Sequence, residues 1–240
     1  MTLLFTSPLV KAGESLTFST LEWPPYVSEK LPENGFGVEI LRRAFQAEGD
    51  YRVELEFFPW SRALVMAETD KHYVGCLFAY YSAEREKKYY YSDPITVNPV
   101  MFAQRKNNPL SWEKLSDLRG KSIGVVQDYV NPPEIDKLIS EKVLVADPAV
   151  SDDLNIEKLA MKRTEAAVVD KYVFNYLVKK NMRIKANSHN LELNPRMLEA
   201  KKIYIIFKKD EEGKRLVKIF NRGLKKIDTN EIIKTYMGNL

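Results

Sequence analysis

Short apolar strands alternate with amphipathic helices along this 240-residue chain, and that alternation limits the folds open to it more than any other feature. Leu16-Thr17-Phe18-Ser19-Thr20 reads as a strand ending at the turn Trp23-Pro24-Pro25-Tyr26, after which Gly35-Phe36-Gly37 leads into an amphipathic helix from Val38 to Glu48. Residues 51–57 alternate as a second strand, Pro59-Trp60 opens a second helix, and a third strand near Val74 to Tyr80 precedes a helix start at Ser82. This βαβα order predicts a doubly wound parallel sheet, whose ligands sit beyond the carboxyl ends of its strands.

Past Pro99 the pattern restarts, as expected of a second lobe. Met101-Phe102-Ala103 is followed by the strand Ser122 to Val126, and Asn131-Pro132-Pro133-Glu134 reads as a helix start with an N-cap, a proline at the first helical position and an acid at the third. Ala166 to Val169 is a further strand, ended by Asp170 and a helix through Leu177. After Asn194-Pro195, the strand Ile203 to Phe207 and helices from Glu211 onward return to the first lobe. The expected division is 13–98 with 203–240 as lobe I and 99–202 as lobe II, so the chain crosses between lobes twice and forms a hinge.

Ser82-Ala83-Glu84-Arg85, running on to Tyr91-Ser92-Asp93-Pro94, places a fixed cation one turn inside a helix start that follows an apolar strand. Helix N-termini leave backbone N–H groups without partners and carry partial positive charge, so main chain and guanidinium together can hold a carboxylate. Taken alone, Arg85 also fits a surface arginine paired with Glu84 or Glu86, and Asp170 fits the N-cap of the helix from Lys171.

Composition narrows the function classes. The 37 basic and 33 acidic residues give a net charge of +4 without concentrated blocks, which argues against nucleic-acid binding. A single cysteine, Cys76, excludes an intrachain disulfide, and with only His72 and His189 the chain shows no zinc or thiol-redox spacing. No metal or cofactor is expected, and Cys76, within an apolar run, reads as a buried strand residue. Residues 1–12 resemble the back half of a secretion signal, with Val10-Lys11-Ala12 fitting a cut ahead of Gly13, although the basic n-region is missing and a frayed apolar tail fits as well. The expected location is the periplasm, after cleavage near Ala12.

The ordered set Trp23-Pro24-Pro25-Tyr26, Gly35-Phe36-Gly37-Val38-Glu39-Ile40-Leu41, Ser82-Ala83-Glu84-Arg85, Asp117-Leu118-Arg119-Gly120-Lys121-Ser122-Ile123-Gly124-Val125 and Ala166-Ala167-Val168-Val169-Asp170 resembles the type II periplasmic substrate-binding proteins, specifically the polar amino-acid-binding group called solute-binding family 3. The resemblance covers nearly everything after Gly13. It implies two α/β lobes, each a doubly wound mainly parallel sheet, joined by two hinge crossings and closing on a small zwitterionic ligand. It also implies a monomer without catalytic residues that delivers its ligand to the membrane permease of an ABC transporter.

The resemblance puts Arg85 on the position that grips the ligand carboxylate, Ser82 on the hydroxyl beside it and Asp170 on the acid that holds the ligand ammonium. Trp23 matches an aromatic stacked over the ligand side chain, with Tyr26 close by and core packing the alternative for both. Tyr80 matches a site position held by a small hydroxyl or backbone group in relatives, and Phe78 a place often held by glycine. Trp60 and Arg62 can reach the same rim, Trp60 reading equally as core. Where relatives carry a Gly-Thr or Gly-Ser turn after the strand, this chain reads Gln127-Asp128-Tyr129, and Asp128 would repel a carboxylate there. Two alternatives stay open: a cyclohexadienyl dehydratase-like enzyme, with Glu22, Asp128 or Asp170 as candidate acids, and a soluble sensor that docks on a receptor.

Overall fold

In a computed structural model, which describes residues 13–240, nine strands and nine helices alternate through most of the chain. The strands are β1 (Glu14–Thr20), β2 (Tyr51–Phe57), β3 (Gly75–Tyr80), β4 (Tyr89–Tyr91), β5 (Thr96–Arg105), β6 (Ser122–Val126), β7 (Val145–Ala149), β8 (Ala166–Asp170) and β9 (Leu191–Lys208). They form one path in the order β2-β1-β3-β9-β5-β8-β6-β7, with β4 on β9. Pairing is parallel among β1, β2 and β3 and among β6, β7 and β8, while β5 and β9 pair antiparallel with each other and with their outer neighbours. Two parallel sheets, one per lobe, are thus joined through a central antiparallel ribbon.

The ribbon is longer than the sequence indicates. β9 runs 18 residues straight through Asn194-Pro195, whereas only Ile203 to Phe207 reads as strand from composition. Proline is admitted because the β5·β9 ladder is irregular there, with register shifts at Met101. The expected crossing points after Asn98 and Lys202 both lie inside this ribbon, where Val97 pairs with Lys202 and Asn98 with Lys201.

The helices are α1 (Phe36–Gln46), α2 (Trp60–Thr69), α3 (Ala83–Glu86), α4 (Pro133–Ser140), α5 (Asp152–Ala160), α6 (Lys171–Lys180), α7 (Met182–Lys185), α8 (Glu211–Leu224) and α9 (Thr229–Gly238). The cap of α4 shifts by one residue: Pro132 stands at the N-cap and Pro133 at the first helical position, while Asn131 donates to Asp136 instead. Lobe I is packed around Phe18, Phe45, Phe207 and Phe220, whose rings meet at 5.6–6.4 Å. A separate cluster with Phe102, Leu118, Ile123, Ile135 and Leu138 lies under β6. Cys76 is fully buried in β3, and burial pushes its thiol up to about 12.

α1 and α8 approach closely at Gly223, where an added Cβ would lie 1.8 Å from the carbonyl oxygen of Ala44. That neighbour is helix backbone and cannot step aside. Gly223→Ala should therefore force the helices apart and cost about 1–3 kcal/mol, as overpacking does, read as a melting temperature lowered by several degrees.

Candidate functional site

Side chains converge where the carboxyl ends of β1, β3, β6 and β8 meet. Asp170 ends β8 and caps α6, its Oδ1 accepting the backbone N–H groups of Tyr172 (2.8 Å) and Val173 (3.1 Å). The Tyr26 hydroxyl donates to the same oxygen at 3.1 Å, Asn98 Nδ2 donates to Oδ2 at 2.9 Å, and the Tyr80 hydroxyl reaches Oδ2 at 3.5 Å. Donors from both lobes and from the hinge strand β5 thus meet on one carboxylate that is 3% exposed. Burial raises its carboxyl to about 6 against the opposing pull of these donors.

On the opposite side, β3 carries a bulge between Cys76 and Ala79, with Phe78 in the left-handed region at φ 63. A bulky side chain there is strained, and such strain concentrates at functional sites. Ser82 caps α3 through Arg85 N (3.4 Å) and lies off the cavities described below. α3 is a single turn of four residues. Arg85 is half-buried with no acidic partner within ion-pair distance among the described residues, since Glu84 pairs with Lys87 and Glu86 bonds Tyr81. Its guanidinium stacks 5.3 Å over Trp60 and donates to the carbonyls of Tyr80 and Asp128. Burial lowers its pKa.

Asp128, at φ 59, joins the lobes. Its carbonyl accepts from Arg85 and from Trp60 Nε1 (3.0 Å), and its carboxylate is turned to Ser61. The negative group thereby points at a hydroxyl donor while the carbonyl faces the guanidinium. Arg62 lies exposed over the Phe58 ring, 5.2 Å from its centroid, outside the cleft.

Trp23 is 3% exposed and stacks on Tyr26 with centroids 4.3 Å apart. With Tyr80, Tyr129 and Val130 it separates two small cavities: one lined also by Trp60, Phe78 and Arg85, the other by Asp152, Asn131 and Asp170. They are small, about 10 and 20 Å³, with room for about one water each. Arg85 and Asp170 thus line adjoining chambers with an aromatic wall between them, and seating a larger molecule against both requires the lobes to part. Among the described residues no group of three or more His, Cys, Asp or Glu is placed to hold a metal ion.

Asp152 was not anticipated from the sequence. It opens α5, is 6% exposed and accepts a hydrogen bond from the Tyr129 hydroxyl at 2.9 Å. Burial raises its carboxyl to about 7, with the charge of Asp170 adding to the rise and Tyr129 opposing it. The only sequence signal was Ser151-Asp152-Asp153 ahead of an apolar run, a helix-start signature that says nothing about burial. Asn98 and Tyr129 left no signal either.

Because folded Asp152 holds its proton more tightly than the unfolded chain, ionising it costs stability. The loss accrues as pH rises from about 4 to about 7, at about 1.4 kcal/mol for each tenfold difference in proton affinity. Asp152→Asn, which keeps an acceptor for Tyr129, should therefore raise the melting temperature at pH 8 by at least about 2–4 °C and change it little at and below about pH 4. Identical values for parent and variant at pH 8 would contradict a buried charge.

The profile of the bacterial extracellular solute-binding proteins, family 3, matches residues 17–239. Among solved structures, the chain resembles a histidine kinase sensor domain described as similar to periplasmic binding proteins, at 18% identity and TM-score 0.78 over 95% of this chain and 97% of that one. It also resembles the arginine-, lysine-, histidine-binding protein ArtJ from Geobacillus stearothermophilus, at 22% identity and TM-score 0.76 over 94% of this chain and 96% of that one. A third likeness comes from work on glutathione import through GshT and the cystine importer TcyBC of Streptococcus mutans, at 22% identity and TM-score 0.75 over 94% and 95%. At these identities the likeness establishes the two-lobe fold. No curated protein matches the chain.

Proposed function

The chain belongs to the bacterial extracellular solute-binding proteins, family 3, and we propose that it captures a small zwitterionic ligand of amino-acid type between its lobes and delivers it to an ABC transporter. The observation that carries this reading is the half-buried Arg85 guanidinium, without a carboxylate partner among the described residues, across an aromatic wall from buried acids. In an open form the ligand carboxylate replaces the carbonyl oxygens now held by Arg85, and its ammonium displaces the Tyr26 or Tyr80 hydroxyl from Asp170. Trp23, Tyr80, Phe78 and Trp60 sort the side chain.

The lobes divide within β5 and β9, giving 13–98 with 203–240 and 99–202 as the moving bodies. Only a ligand touching both favours closure differentially, and that difference sets how far the population shifts. Asp128 acts as the latch, bringing its carbonyl to Arg85 and Trp60 when the lobes meet. The mature protein works in the periplasm as a monomer. Among the described residues no helix is long and apolar enough to cross a membrane, and the expected signal segment, residues 1–12, lies outside the described residues.

The dehydratase-like alternative gains one candidate the sequence did not offer: Asp152, whose carboxyl at about 7 suits a general acid. Phenylpyruvate formed from prephenate would select it over passive binding; none is expected. For the binding reading, a thermal-shift screen with amino acids, polyamines, dicarboxylates and short peptides should give amino acids as stabilising ligands. Arg85→Glu should then weaken binding by about a hundredfold or more in calorimetry while the variant still melts cooperatively. Unchanged affinity would remove Arg85 from the site.

A further inference from the structure

Of the lysines among the described residues, only Lys201 is buried, at 7% exposure. It lies on β9 within the hinge ribbon, opposite Asn98, and its ammonium meets two groups: the Glu199 carboxylate, with Oε2 at 3.0 Å, and the Tyr80 ring, whose centroid is 5.3 Å away. Burying an ammonium is costly unless it is well paired. Here the ion pair is imperfect, since the Glu199 side chain is 35% exposed and its Oε2 accepts no aligned hydrogen bond among the described residues. The aromatic face is the ammonium's other partner.

Tyr80 occupies a decisive place. Its ring stands in the wall between the Arg85 and Asp170 chambers and lines both, its hydroxyl reaches Asp170 Oδ2 at 3.5 Å, and Trp23 lies across it at 85° with centroids 5.8 Å apart. The contact with Asp170 is one that the proposed opening of the lobes breaks. Lys201 is placed differently. Tyr80 pairs with Ile203 and Lys201 with Asn98, so the cation sits at the crossing point itself, where rotation of one lobe on the other displaces atoms least. The ammonium can therefore stay over the ring in open and closed forms alike.

We propose that Lys201 is a positioning residue of the cleft: its ammonium fixes the Tyr80 ring, keeps the aromatic wall formed before a ligand arrives, and so raises ligand affinity without touching the ligand. The proposal rests on the amino-acid reading above and deepens it. A cation over an aromatic face counts for more when shielded from water than on an open surface, and a wall ordered in advance spares the ligand the cost of ordering it. Packing alone does not ask for a lysine here, since a methionine of similar length fills irregular apolar space without a buried charge.

The test is a double-mutant cycle between Lys201→Met and Tyr80→Ser, with affinities for the standard L-amino acids read by calorimetry, or by melting-temperature shift at millimolar ligand where binding is weak. Lys201→Met should weaken the tightest ligand of the parent protein by about tenfold. Its ligand-free melting temperature should change little, because Glu199 can turn to water. In the Tyr80→Ser background, where the ring is gone, the same change should alter affinity by less than about twofold. Affinity unchanged in Lys201→Met, or an equal loss in both backgrounds, would overturn the positioning role and leave the amino-acid reading intact. Absence of binding to every standard L-amino acid by the parent protein would overturn both. Lys201→Gln, which removes the charge and keeps a polar group, is read in place of Lys201→Met if that variant does not melt cooperatively.

Discussion

Donors drawn from three parts of the chain hold the Asp170 carboxylate, and the meeting of the two lobes depends on that group. The α6 amides fix it at the end of β8, Asn98 reaches it from the hinge strand, and Tyr26 and Tyr80 reach it from the first lobe. Every partner favours the ionised form, while burial opposes it more strongly. In the proposed opening of the lobes the tyrosines would withdraw and acceptor positions would open toward the cleft, so the same group would fasten the closed arrangement and anchor an incoming ammonium.

Aromatic side chains set the rest of the geometry. Trp23 stacks on Tyr26 and meets Tyr80 edge-on at 5.8 Å, and Tyr129 meets Trp60 edge-on at 6.1 Å. These rings contribute apolar area and preferred orientations with few rotatable bonds. They also leave little room for water around Arg85 and Asp170, which strengthens each charge's pull on a partner.

Much of this was legible in the sequence, for identifiable reasons. The strand β3 followed by Ser82 and Arg85 stands out because an apolar run, a capping hydroxyl and a charge lie within a dozen residues, and the N-cap role of Asp170 follows from its place between a strand and a helix. The length of β9 was not legible. Asn194-Pro195 signals a turn, and only the irregular ladder with β5 lets a strand run through it. Arg62 and Asp128 show the reverse difficulty: their charge marks them as candidates, but the direction of a side chain depends on neighbours such as Phe58 and Ser61.

The sequence by itself determined the alternation of strands and helices and the helix-start places of Arg85 and Asp170, because these rest on periodicity, caps and spacing within short windows, while the two-lobe family followed from the resemblance carried by the ordered motifs. The tertiary structure alone decided which donors reach each acid. Tyr26 lies 144 residues from Asp170 and Asn98 lies 72 away, and burial of Asp152 next to Trp23 comes from lobe against lobe. Hydrogen-bond satisfaction is a property of groups brought together in space, so no local pattern around Asp152 could have distinguished it from the exposed acids that begin so many helices.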